Sequence, residues 1–166
     1  SYKIPEAAKA LDSFVDELSN WYVRRGRERY WAQTMTDDKI SAYMTLYTAL
    51  VTVAKASAPM IPFMAEDIYR NLVCNIYKDA PESVHLCEFP VVDESAIDTE
   101  LEENMEELLD IVVMGRAARN GASMKNRQPL STMYVQAKKE LPSYCVEIIE
   151  DELNIKNVKF VSDMSE

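Results

Sequence analysis

The sequence predicts a mainly α-helical protein: a helical bundle over residues 1–122, followed by a small α/β unit over 123–166. Three observations lead there. Only three glycines occur in 166 residues, and long stretches rich in Ala, Leu, Glu and Met favour helix over sheet. Apolar residues recur at steps of three and four through most of the chain. After Gly121 that pattern gives way to two short extended runs flanking one more helical run. At 48% hydrophobic composition the chain is long enough to bury its own core.

From Ala7 onward, Leu11, Phe14, Val15, Leu18 and Tyr22 are spaced to form one buried helical stripe. A second helix is expected after Thr36-Asp37-Asp38, where a short polar side chain can cap free amides. It carries Ile40, Tyr43, Leu46, Leu50 and Val53 and stops near Ser57, because Pro59 disfavours helix in the residue before it. Pro62 suits the first turn of a third helix, which runs through Met64, Ala65, Ile68 and Leu72. Three helices with short connections make a bundle.

From Cys74 to Asp98 the periodicity is lost, and the stretch reads as a long connection with one extended segment at Val84 to Phe89. A long helix resumes near Asp98, with Leu101, Met105, Leu108 and Val112 on its apolar face. Glu100, Glu102, Glu103, Glu106 and Glu107 crowd its positive end. In the tail, Ser131 to Gln136 is expected as a strand, Pro142 to Asn154 as a helix and Val158 to Val161 as a second strand.

No run of about 18 apolar residues occurs, and the N-terminus has neither the apolar stretch nor the cleavage site of a signal peptide. A soluble, cytoplasmic protein without a membrane partner is expected. Three widely spaced cysteines, Cys74, Cys87 and Cys145, fit a reducing setting. Cys87 with His85 is a weak zinc signal lacking a second ligand pair, so no metal is expected here.

The net charge of −10 argues at first against nucleic acid, because phosphate binding rests on Lys and Arg. Its distribution argues otherwise. Residues 18–31 hold four arginines and one glutamate; residues 115–127 hold three arginines, one lysine and no acid. These stretches together carry +7 and leave −17 on the remainder. Projected at about 100° per residue, Asn20, Arg24, Arg27 and Trp31 fall on the side opposite the core stripe. Arginine binds phosphate in a fork and stacks on bases, and an exposed tryptophan offers an unpaired base a platform. These are the parts needed to hold a single-stranded RNA loop.

The competing reading has Trp21, Tyr22, Tyr30 and Trp31 filling the bundle beneath a solvated arginine face. Arg25 and Arg29 project on the core side, so either the helix outruns the bundle or Gly26 breaks it. The second basic cluster is Arg116, Arg119, Lys125 and Arg127. The first two also serve as ordinary complements to a helix C-terminus. Lys125 and Arg127 lie beyond that explanation, and would reach a phosphate backbone if their loop sat beside the first helix.

No glycine-rich phosphate loop, paired histidines, or nucleophile with a histidine base other than lone His85 is present. Glu66 and Asp67 are adjacent, so they point to different helix faces and read as surface rather than as an acid–base pair. No bond-making chemistry is expected in this chain.

The run Phe14-Val15-Asp16-Glu17-Leu18-Ser19-Asn20-Trp21-Tyr22-Val23-Arg24-Arg25, then Arg27, Arg29, Tyr30 and Trp31, resembles the anticodon-binding helix of isoleucyl-tRNA synthetases. The doubled arginine after Trp-Tyr-Val separates it from the valyl and leucyl enzymes, which share the helical frame. Ala58-Pro59-Met60-Ile61-Pro62-Phe63-Met64-Ala65-Glu66-Asp67-Ile68-Tyr69 is similar to the helix junction of class I synthetase anticodon domains. Ser83-Val84-His85-Leu86, Gly115-Arg116-Ala117-Ala118-Arg119-Asn120 and Glu152-Leu153-Asn154-Ile155-Lys156 follow in the family's order.

The resemblance implies an anticodon-binding helical bundle that grips the anticodon stem-loop of a tRNA for isoleucine. The implied tRNA-binding residues are Asn20, Trp21, Arg24, Arg25, Arg27 and Trp31, then Arg116, Arg119, Lys125 and Arg127. It implies a parent enzyme that joins isoleucine to its tRNA with ATP and Mg, and leaves open a zinc-binding extension beyond Glu166. The nucleotide-binding signatures of that class, the His-Ile-Gly-His and Lys-Met-Ser-Lys-Ser types, do not occur in the 166 residues. Ser1 is therefore expected to follow a catalytic domain of the same polypeptide, itself an expected partner. Two alternatives remain: a valyl or leucyl member of the class, and an acidic helical interaction module whose arginines pair with its many glutamates.

Overall fold

A computed structural model of the chain describes residues 3–137 and 139–162. The chain divides into two compact units, Ser1–Val92 and Asp93–Glu166.

In the first unit, helix α1 (Ile4–Glu17) carries a proline in its opening turn and continues into a π-helical segment, Leu18–Val23. Gly26 forms the turn into the five-residue helix α2 (Arg27–Trp31). Helix α3 (Asp37–Ser57) begins where Thr36 Oγ1 accepts the Lys39 amide at 3.2 Å, the cap expected from sequence. It ends in the Ser57 to Ile61 turn, and α4 starts on Pro62, running Pro62–Tyr69 with a π-helical continuation over Arg70–Cys74.

The core of this unit is Ala58, Ala65, Tyr69, Val73 and Val84, with Val51 and Leu72 packed against it. Tyr69 reaches across it to donate to the Pro81 carbonyl at 3.1 Å. Val84–Leu86 is a 3₁₀ turn rather than the extended segment expected there. The reason is Glu66, whose carboxylate accepts from Ser83 Oγ at 2.8 Å and from the Val84 amide at 2.9 Å, pinning the turn onto α4.

The stripe assigned to the core in the first helix is also corrected. No residue of α1 is buried; Phe14 is 43% and Val15 48% exposed. The anchored part is the π-helical continuation, where the Tyr22 hydroxyl donates to the Ala42 carbonyl of α3 at 3.2 Å.

In the second unit, Asp98 caps helix α5 (Thr99–Gly121) by accepting the Leu101 amide at 3.0 Å. Strands β1 (Met133–Val135) and β2 (Val158–Phe160) pair in parallel, in register Met133 with Val158 and Val135 with Phe160. Helix α6 (Ser143–Leu153) crosses between them, giving the βαβ unit that the tail pattern predicts. Asn154 ends α6 in the left-handed conformation, φ 51°, where asparagine is tolerated better than most residues.

Leu108, Ile111, Val112 and Gly115 form the buried row of α5, facing Cys145, Ile149 and Leu153 of α6. A Cβ on Gly115 would lie 2.4 Å from Leu153 Cδ1, so any larger residue there would require the Leu153 side chain to move. This contact groups α5 with the tail, and the compact division falls at 92/93, where the sequence reading placed it at 122/123.

Candidate nucleic-acid interface

The first basic stretch folds as two short presenting segments. Just past the π-helical segment, Arg24 donates from Nε to the Asn20 carbonyl at 2.7 Å, and its guanidinium lies 5.9 Å from the Trp21 ring centroid. Asn20 Nδ2 donates to Asp16 at 2.6 Å. Across the Gly26 turn, the Arg27 guanidinium sits 4.9 Å from the ring of Trp31, which is 74% exposed. Each pair puts a cation on an aromatic face, an arrangement on which bases stack.

Asn20, Arg24, Arg27 and Trp31 therefore do not line one straight helix as the projection has it. The i→i+5 bonding of the π-helical segment shifts the phase, and Gly26 breaks the run. Gly26 is required there: a Cβ would come 2.9 Å from the Tyr22 carbonyl oxygen and 3.0 Å from the Tyr30 ring. Trp21 and Arg25 are half-buried, whereas Asn20, Arg24, Arg27 and Trp31 are exposed.

Behind α2 lies a set of contacts the sequence reading did not find. Arg29 grips Asp38 with Nε to Oδ2 at 2.8 Å and Nη2 to Oδ1 at 2.7 Å. Tyr30 meets Tyr43 edge-on with ring centroids 5.1 Å apart. Burial first, and the neighbouring Tyr22 hydroxyl second, push the Tyr30 phenol up to about 12, so it stays protonated and donates to the Ala42 carbonyl. The available signal was Asp37-Asp38 beside an arginine-rich run, which reads locally only as a helix cap.

The second basic stretch belongs to the other unit, and two of its members leave the surface set. Arg119 is 3% exposed. It donates from Nη1 to the Leu153 carbonyl at 3.0 Å and from Nη2 to the carbonyls of Lys125 at 2.7 Å and Gln128. It is a brace for its own loop, with no face for a phosphate. Arg116 pairs with Glu152, a largely buried carboxylate at 2.5 Å, so much of its charge is neutralised. To that extent Arg116, though not Arg119, behaves as the interaction-module alternative expects. Lys125 and Arg127 remain exposed on the braced loop.

No group of three or more His, Cys, Asp or Glu placed to hold a metal occurs among the described residues. The three cysteines are free thiols, with Cys145 buried. Among the described residues no helix is long and apolar enough to cross a membrane.

A family model described as the anticodon-binding domain of tRNA ligase matches residues 1–134. The chain belongs to that family. The anticodon-binding domain match takes in both basic stretches and ends inside β1. Curated relatives extend the likeness through the tail. The isoleucine--tRNA ligase of Clostridium novyi is 59% identical over 99% of this chain, and that of Clostridium acetobutylicum 58% over 99%. That of Dehalococcoides mccartyi strain CBDB1 is 42% identical over 94%. The chain spans 16% of the length of each of these relatives. The resemblance to isoleucyl enzymes read from Trp21-Tyr22-Val23-Arg24-Arg25 is thus matched by relatives bearing that name.

Proposed function

We propose that this anticodon-binding domain holds the anticodon stem-loop of a tRNA for isoleucine, as part of a cytoplasmic isoleucine--tRNA ligase. The observation that carries the reading is the Arg27–Trp31 pair, a guanidinium 4.9 Å from the ring of a 74% exposed tryptophan in a chain of this family. In this reading Trp31 stacks on an unpaired base of the loop and Arg24 and Arg27 reach its phosphates. Asn20, Trp21 and Arg25 support that face; within the second unit, taken by itself, Lys125 and Arg127 are the exposed cations suited to phosphate.

Bond-making steps belong to the rest of the parent enzyme. No glycine-rich loop occurs in the sequence, and no metal-ligand cluster among the described residues. Joining isoleucine to tRNA with ATP and Mg is therefore proposed for the parent's catalytic domain, this domain's partner in the same polypeptide; any zinc would belong to a further extension.

The test is a salt titration of binding to a tRNA for isoleucine beside the same tRNA with a changed anticodon. The wild-type chain is expected to prefer the isoleucine anticodon, and an Arg24→Ala, Arg27→Ala double variant to lose the preference. Equal binding of both tRNAs by wild type across the salt range would overturn the reading.

A further inference from the structure

We propose that Arg29 and Asp38 are positioning residues for RNA binding: their pairing fixes the orientation of α2, and through it the Arg27–Trp31 platform. This role rests on the RNA-binding reading above.

Helix α2 has five residues, none of them fully buried, so apolar packing holds it only through half-buried Tyr30 against Tyr43. A helix that short does not persist in water by itself. What secures it is a row of contacts to the first turns of α3. Arg29 gives Asp38 both prongs of its fork and also donates from Nη2 to the Asp38 carbonyl at 3.1 Å. Lys39 Nζ donates to the Ala32 carbonyl at the end of α2, and Tyr43 donates to the Tyr30 carbonyl at 3.4 Å.

All these bonds are made by the α3-facing side of α2. Arg27 and Trp31, four residues apart and therefore neighbours on one face, make their contact with each other, and Trp31 stays open to solvent. Arg29 lies in the most basic run of the chain, yet both prongs of its fork are committed to one carboxylate. Its contribution to RNA affinity is orientation rather than free charge.

The proposal reverses the sign that charge alone predicts. Asp38→Asn removes a negative charge close to the platform, so electrostatics alone would leave RNA binding unchanged or tighter. Positioning predicts weaker binding, by roughly three- to tenfold, because the binding-competent orientation becomes a fraction of the population. Arg29→Lys keeps the charge but loses the fork, and should weaken binding similarly. Asp38→Glu keeps a carboxylate within reach and should restore most of the affinity.

The experiment measures binding of labelled tRNA for isoleucine to the 166-residue chain and these variants by fluorescence anisotropy. Beside it, time-resolved anisotropy of Trp31 is recorded without RNA in a Trp21→Phe background. The expected result is weakened binding and added fast depolarisation of Trp31 in Asp38→Asn and Arg29→Lys, both reversed in Asp38→Glu. Unchanged or tighter binding by Asp38→Asn, or unaltered Trp31 depolarisation, would overturn the positioning role while leaving the RNA reading intact. A wild-type chain that binds no tRNA would remove the RNA reading and this role with it, even where Trp31 loosens in the variants.

Discussion

Arg119 donates from Nη1 to the carbonyl oxygen of Leu153 at 3.0 Å, tying the C-terminal end of α5 to that of α6 from inside the fold. Its other amino group holds the Lys125 and Gln128 carbonyls, so one guanidinium sets the shape of the loop that displays Lys125 and Arg127. Arg119→Ala leaves acceptors without their charged donor and is expected to destabilise the second unit by about 2–4 kcal/mol. Arg119→Lys should recover little of this, because an ammonium cannot span three carbonyls in the planar geometry of the fork. Urea unfolding followed by circular dichroism measures both.

Gly115→Ala should destabilise as well, although alanine is the better helix former by about 1 kcal/mol. The added methyl would collide with Leu153, which is 1% exposed, and overpacking of that kind costs about 1–3 kcal/mol. The check is a double-mutant cycle with Leu153→Val. The smaller side chain should relieve part of the clash, so the two changes together cost less than their sum.

Trp31→Ala should separate binding from folding. At 74% exposure the ring contributes little to packing, so stability should stay within about 0.5 kcal/mol of wild type. Loss of a stacking platform is expected to cost about 1–3 kcal/mol of RNA affinity. Trp21→Ala, at a half-buried position, should lower both quantities. Thermal melts beside RNA titrations distinguish the two patterns.

Salt dependence should sort the loop cations. Lys125→Ala and Arg127→Ala are each expected to reduce the slope of log affinity against log salt by about one. Arg116→Ala should reduce it by less, since Glu152 already holds that charge. Arg116 giving the largest reduction would show that the ion pair opens on binding.

Glu66 makes the first unit sensitive to acid. The Val84 amide first, and the Ser83 hydroxyl second, hold its carboxyl below the ordinary value of 4.5. The folded pKa being the lower one, this contribution is present above the unfolded value and is lost as pH falls through the folded value. Amide exchange at Val84, corrected for intrinsic rates, should speed up as pH drops below about 4. In Glu66→Gln that pH dependence should be absent.

The local punctuation of the chain was legible because each signal acts on its own neighbours. Thr36 and Asp98 cap the helices that follow them, Pro59 and Pro62 bracket the bend between α3 and α4, and the tail alternates as β1, α6 and β2. The first stretch of the candidate site was legible for a related reason: four arginines among aromatics are a chemical statement before they are a structural one. Their exact facing was not, because a π-helical segment and the Gly26 turn change the phase that a straight projection assumes.

By itself the sequence determined the helical class, most helix ends, the βαβ tail, and the family, through residue types in a fixed order. Only the tertiary structure decided which cations remain available. Arg116 and Arg119 stand in one basic cluster with Arg127 until Glu152 and the Leu153 carbonyl arrive from far along the chain. Arg29 projects on the core side in sequence, but only the fold shows that Asp38 is what it meets there. The apolar stripe of α1 reads as core, yet none of its residues is buried. Whether a side chain is buried, paired or exposed depends on what packing brings against it, whereas caps, turns and periodicity depend only on the few residues on either side.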